Sequence, residues 1–443
     1  MMTSRTHGEC NTRMRVQCVQ TPGVLPAAPS AFGTALRKCR RAPYNVRMIS
    51  QRIASLLADP AAGAIRKMFE DGIALKERFG ADAVYDFSLG NPAMEPPPEV
   101  TAALKTVAAD LTQGVHGYMP NAGFPAARTA LAEKTSREQG VSVPMQNVVL
   151  SVGAAGALNV VLKSLLNPQD EVIVLCPYFS EYDHYILNHG GTVVRVQTRA
   201  DFTLDVAAIT RALTARTQAI IINSPNNPTG RIYTADEIGS LAAALRQHGN
   251  VAGRLPYLIA DEPYRAIVYG KKTVPAIFPV YENSIVVTSF AKSLSIPGER
   301  IGYIAVNPAC AEAQELVAAA VFATRTLGYV NAPALFQRVI TAAWDAPCDY
   351  SGYALRLEKM VAVLTACGLE YAVPDGAFYV FVKVPAAWGT DDVAFTEHLK
   401  RYRILCVPGS CFGRAGWFRV AYCCTPESID GSREAFCAAV REK

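Results

Sequence analysis

The chain has 443 residues, half of them apolar and only 18% charged, so it can bury more core than one small domain needs. Its net charge of +5 is concentrated at one end: residues 1–50 hold eight Lys or Arg and one acid, Glu9, a balance of +7 that leaves the remainder at −2. The main body therefore carries no basic footprint for nucleic acid, and it contains no run of eighteen uncharged apolar residues of the kind that spans a membrane.

Residues 1–47 are Arg-rich, poor in acids and without helical periodicity, and they carry Pro22, Pro26, Pro29 and Pro43. Such a stretch reads either as a targeting presequence or as an extension upstream of a true start at Met48. The second is favoured, because MISQRIASLLADP opens an amphipathic pattern there. Residues 1–47 are expected to be disordered, and the absence of an apolar h-region speaks against secretion. Residues 51–79 read as one or two helices. A short strand is expected at Tyr85–Leu89, closed by Gly90, Asn91 and Pro92, and a helix at Ala102–Leu111. The loop that follows holds Tyr118 and Gly123 and leads into another helix.

From Asn147 onwards strand and helix patterns alternate. Strands are expected at Asn147–Val152, Glu171–Leu175, Gly191–Val196, Gln218–Ile222, Tyr257–Ala260, Ile285–Thr288 and Ile301–Val306. Helices are expected at GAAGALNVVLKSLL, Asp205–Leu213 and Ala235–Gln247. This rhythm predicts an α/β fold, a mostly parallel sheet with helices on both faces. After Val306 the rhythm changes. Three helices (Ala311–Ala323, Ala332–Trp344, Leu355–Cys367) precede a strand at Phe378–Val384, a helix at Val393–Tyr402, short strands near Leu405 and at Phe418–Tyr422, and a last helix. That pattern predicts a smaller α+β domain. The expected division is an N-terminal segment (48–95) packing with the small domain, a large domain (96–325) and a small domain (326–443). Among the twelve cysteines there is no CxxC pair, and neither Cys406 with Cys411 nor Cys423 with Cys424 has a zinc spacing. No metal site and no disulfide framework are expected. Most of the thiols read as small core residues in a reducing, cytoplasmic setting.

Polar residues gather just past the carboxyl ends of the expected strands, where open α/β sheets place ligands. Lys292 follows the apolar run Ile285–Thr288, and burial there lowers an amine's pKa and makes it a nucleophile. Ser289 and Arg300 flank it and suit a phosphate. The turn SVGAAGALN leaves the backbone amides of Ala154 and Ala155 free at a helix start, an anion site. Phe179 can stack on a planar ring. Asn227 in NSPNNPTG can donate to a ring oxygen, and Tyr264 can meet the same oxygen. Asp261 in ADEPY follows four apolar residues, a costly place for a carboxylate without a partner. Each feature alone is ordinary turn or core chemistry. Together they describe a planar, phosphorylated, cationic heterocycle held covalently by a lysine, which are the demands of pyridoxal 5'-phosphate.

From about Met48 to its end the chain resembles the class I/II aminotransferases, the fold-type-I pyridoxal-phosphate enzymes. The resemblance rests on six landmarks in order and spacing: SVGAAGAL, PYFSEY, NSPNNPTG, ADEPY, SxxK…GxRxGY and FRV. It implies that Lys292 is the Schiff-base lysine and the acid–base of the reaction. It implies that Asp261 and Tyr264 tune the ring, that Asn227 binds the ring hydroxyl, and that Ser289 and Arg300 bind phosphate. Arg419 matches the arginine that grips the substrate α-carboxylate, and Gly90 the glycine that closes over it. Tyr118 matches a tyrosine that reaches the partner subunit's phosphate, which implies a homodimer with shared sites. The implied reaction is ping-pong transfer of an amino group from an L-amino acid, aspartate first, to a 2-oxo acid, 2-oxoglutarate first. Two departures leave the donor open. Ala155 stands where some aspartate-specific members carry a lysine, and Glu299 stands where a tryptophan is frequent. Alanine, aromatic or broad-range transfer and a C–S lyase reaction on the same scaffold are the alternatives.

Overall fold

The computed structural model describes residues 49–58 and 64–442. The expectations for residues 1–47 and for a start at Met48 fall outside them. The strands are β1 (Tyr85–Asp86), β2 (Val148–Ser151), β3 (Glu171–Cys176), β4 (Thr192–Gln197), β5 (Thr217–Asn223), β6 (Tyr257–Asp261), β7 (Ser284–Ser289), β8 (Gly302–Val306), β9 (Tyr371–Ala372), β10 (Tyr379–Lys383), β11 (Ile404–Leu405), β12 (Val407–Pro408) and β13 (Trp417–Ala421).

Seven of them form one sheet in the order β2-β8-β7-β6-β5-β3-β4. Its pairs from β7 to β4 are parallel, and β8 alone runs against both of its neighbours. The inner strands are apolar on both sides because both faces are covered. Leu258 and Ala260 of β6 enter one core, while Tyr257 and Ile259 enter the other. Two-residue alternation thus divides one strand between two cores, and each fully buried Leu or Ile contributes about 1.5–3 kcal/mol. The fold is the expected mostly parallel α/β sheet. No helix among the described residues is long and apolar enough to cross a membrane.

Strand register gathers the functional ends. Asn223 pairs with Asp261, Asp261 with Val287, and Ser289 with Gly302. The last residues of β5 and β6 therefore sit side by side, and β7 runs two residues further along the same edge to Ser289. Because β8 is antiparallel, it begins where β7 and β2 end, so Arg300 returns to the same edge. Ser151 also pairs with Gly302, and this brings the start of helix Gly153–Leu165 to that edge.

The C-terminal part folds around a second sheet, β12-β13-β10-β9, with every pair antiparallel. Its core joins Phe378, Val380, Phe395 and Phe418 with Phe87 from the N-terminal segment. Phe87 also bridges backbones: its N–H donates to Leu405 O at 2.9 Å, and its carbonyl accepts from Ala421 N–H at 2.9 Å. These contacts replace the expected strand Tyr85–Leu89, of which only Tyr85–Asp86 remains as a ladder, against β11. The expected helix Ala102–Leu111 starts earlier, at Pro98, because a proline in the first turn presets the helical φ.

Among the described residues one disulfide forms, Cys367–Cys437. It ties the end of helix Ser351–Ala366 to helix Arg433–Arg441. This pair departs from the expectation of reduced thiols. Its cysteines lie 70 residues apart, so opening it frees a long loop in the unfolded chain. Cys437→Ser is expected to lower unfolding stability by about 2–4 kcal/mol. Urea titration in the absence of reductant checks this, and the wild type should lose the same increment when dithiothreitol is added.

Candidate active site

Nine of the residues singled out in the sequence line one cavity of about 180 Å³: Ala154, Ala155, Phe179, Asn227, Asp261, Tyr264, Ser289, Lys292 and Arg300. Ser289 ends β7, and a single helical turn, Phe290–Ser293, presents Lys292 beyond it. Lys292 Nζ donates to the Gly90 carbonyl at 2.6 Å and lies 5.3 Å from the Phe378 ring centre. Burial, reinforced by the charges of Arg419 and Arg300, pulls the pKa of this amine down to about 8. A substantial fraction is then neutral and nucleophilic near neutral pH.

Asp261 is the last residue of β6 and is buried. Its Oδ2 accepts a 2.5 Å hydrogen bond from Tyr182, while its Oδ1 is buried without a partner. Burial pushes its pKa up to about 7, against the opposing pull of the Tyr182 hydroxyl. Asn223, at the end of the adjacent strand β5 and paired in register with Asp261, fixes two neighbours at once. Its Nδ2 donates to Asp261 O at 2.8 Å and its Oδ1 accepts from Asn227 N–H at 2.7 Å. Glu262 points to the opposite face, where Arg265 pairs with it at 3.0 Å. The same guanidinium donates to Glu138 O at 2.8 Å and Val274 O at 2.9 Å, so the segment after β6 is anchored from behind.

At the other end of the cavity, Gly153 opens its helix with φ 74°. A Cβ there would lie 2.9 Å from Arg300 Nη2. The left-handed φ favours glycine at this position, and the missing side chain lets the guanidinium rest on the helix start. Arg300 itself is exposed, and the helix amides, Ser289 and this cation converge on one small volume suited to an anion.

Arg419 reaches the site from β13. Its Nη1 donates to Asn227 Oδ1 at 3.0 Å and its Nη2 to Ser88 O at 2.5 Å, and its Nε is buried without a partner. Gly90 joins the group through Lys292. Tyr118 is not part of it: the side chain is 95% exposed. Sequence reasoning missed Tyr182, Asn223 and Tyr379. Tyr379 lies in an apolar stretch and Tyr182 in a polar one, and only the hydrogen bonds reveal their role. Tyr379 O and Tyr264 O are 2.9 Å apart.

Comparison with known proteins decides the family. The profile of the aminotransferase class I and II family matches residues 82–436. The chain is a class I/II aminotransferase. The aspartate/prephenate aminotransferase of Thermus thermophilus is 32% identical over 403 residues, covering 88% of this chain and 98% of that protein. An aromatic-amino-acid aminotransferase of Thermococcus litoralis is 27% identical, covering 86% and 96%. The crystal structure of an amino transferase from Eubacterium rectale superposes with a TM-score of 0.84 at 36% identity, covering 89% of this chain and 98% of its own. That of the Thermus thermophilus aspartate aminotransferase with maleate gives 0.78 at 29%, covering 88% and 99%.

In this aminotransferase, the raised pKa of Asp261 has a consequence for stability. The folded protein holds its proton to about pH 7, the unfolded chain releases it near the ordinary carboxylate value. The folded state thus binds more protons between these limits, and stability falls as pH rises through that window. Asp261→Asn is expected to stabilise the ligand-free protein at pH 8 by on the order of 2–4 kcal/mol and to flatten the pH dependence between 4 and 7. Denaturant titrations across that range check it.

Proposed function

We propose that this aminotransferase uses pyridoxal 5'-phosphate to move the amino group of an L-amino acid to a 2-oxo acid in two half-reactions, with aspartate and 2-oxoglutarate as the first pair to test. The observation that carries the reading is the unpartnered, buried Asp261 Oδ1 facing the same cavity as the partly deprotonated Lys292. A buried carboxylate oxygen without a donor is costly, and a protonated ring nitrogen supplies that donor. The remaining groups fit the cofactor's other ends. Ala154, Ala155, Ser289 and Arg300 suit the phosphate, Asn227 and Tyr264 the ring hydroxyl, and Phe179 the ring face.

When bound, the cofactor supplies an electron sink for the pair released as a substrate's α-proton leaves. The protein does the rest. Arg419 takes the α-carboxylate through its planar fork and so orients the α-carbon. Gly90 and the Ser88 carbonyl close the same end. Lys292, with its pKa near 8, accepts the α-proton and returns it at the other carbon. Asp261 keeps the ring nitrogen charged, and Tyr182 keeps Asp261 in place. Lys292 comes from the proposed large domain (96–325) and Arg419 from the proposed small one (326–443), so substrate binding draws the two together. The exposed Tyr118 and the 91% exposed Leu111 support a homodimer in which Tyr118 reaches the partner's phosphate site.

Ala155 favours a second donor reading. It offers no cation for a side-chain carboxylate at that point of the cavity, so aromatic, alanine or broad-range transfer is the alternative. A panel of amino donors with 2-oxoglutarate, following the cofactor absorbance in each half-reaction, separates these. Release of pyruvate and ammonia from a sulfur amino acid without an oxo-acid acceptor would instead establish a C–S lyase. Lys292→Ala is expected to abolish turnover with every donor; a variant that still transaminates overturns the assignment. Arg419→Lys keeps the charge but loses the fork, and should raise the donor KM about tenfold to a hundredfold with a smaller change in kcat.

A further inference from the structure

Tyr379 sits between three parts of the proposed site, and no role has yet been given to it. It begins β10, whose register against β13 pairs Tyr379 with Ala421 and Phe381 with Arg419. Residues two apart share a face, so Tyr379 and Arg419 are diagonal neighbours on one side of this sheet. The Arg419 guanidinium lies 4.7 Å from the Tyr379 ring centre, within cation–π range. The Tyr379 hydroxyl lies 2.9 Å from the Tyr264 hydroxyl, and both side chains are buried. A Cβ on Gly90 would collide with the same hydroxyl. One side chain thus touches the carboxylate-binding arginine, the ring-hydroxyl tyrosine and the glycine that accepts from Lys292.

We propose that Tyr379 is a positioning residue that couples carboxylate binding at Arg419 to the hydrogen bond Tyr264 makes with the cofactor. A tyrosine hydroxyl has a single proton. If Tyr264 gives its proton to the ring oxygen, its own oxygen must accept one from elsewhere, and Tyr379 is the neighbour in range. The cation over the Tyr379 ring draws electron density from the phenol and makes it the better donor. A substrate carboxylate on Arg419 offsets that cation. The change passes through Tyr379 to Tyr264 and so to the ring oxygen. The same hydroxyl leaves no room for a side chain at position 90.

The inference rests on the pyridoxal-phosphate reading, and its test separates the two. In the holoenzyme, the pH midpoint of the cofactor absorbance is measured for the wild type, Tyr379→Phe, Tyr264→Phe and the double variant, with and without maleate as a carboxylate probe. Tyr379→Phe removes one oxygen and leaves the ring over Arg419. It should move the midpoint by about half a unit to one unit, shrink the further shift that maleate causes, and lower kcat about three- to tenfold with donor KM within about twofold. The double variant should match Tyr264→Phe alone, because Tyr379 acts through Tyr264. A midpoint and maleate response unchanged in Tyr379→Phe, or effects that add in the double variant, overturn the coupling while leaving the cofactor assignment intact. A wild type with no pH-dependent cofactor band overturns both.

Discussion

A carboxyl group is held out of water at the end of β6 with one oxygen bonded and the other not. Asp261 is the point on which the rest of the site turns. Strands on either side fix its main chain, Tyr182 fixes one oxygen, and Asn223 ties its carbonyl to the loop that carries Asn227. Leaving the second oxygen bare costs the folded chain stability. The chain tolerates that cost because a large two-faced sheet supplies stability from elsewhere. In the proposed role the bare oxygen is what a cationic ring binds.

The antiparallel strand β8 has a specific geometric part in this. In a wholly parallel sheet, Arg300 would precede a strand that starts at the far edge. Reversing β8 brings Arg300 and Ser289 to the same edge, and the Ser151–Gly302 pair adds a helix start. One reversed strand therefore assembles an anion site from three separate pieces of chain.

Much of this was legible in the residues. The apolar runs of β3, β5, β6 and β7 announce buried strands, and the polar residues that close them mark the ligand edge. Asp261, Lys292 and Asn227 stand out because polar types close such runs, whereas Arg419, in mid-strand, is named only through the family resemblance. What stayed hidden lacked a local signal. Helix Glu181–Asn188 is short and begins with polar residues, so its period does not show. Tyr182 and Tyr379 look like core aromatics until their hydroxyl partners, 79 and 115 residues away in sequence, are seen. The Cys367–Cys437 pair is equally non-local. The expected strand at Tyr85–Leu89 ended early because Phe87 bridges two other strands rather than extending one ladder.

The turn GAAG has a fixed half and a free half. Gly153 is constrained by its positive φ of 74°, with the Arg300 guanidinium lying against it; Ala155, two residues on, lines the cavity. A mutation at the first position strikes the anion site, whereas one at the second alters only what the cavity offers to a side chain. In the proposed function, new amino donors can be explored at position 155 while the backbone that meets the cofactor stays constant. In that reading the turn separates the part of the enzyme that defines its chemistry from the part that defines its diet.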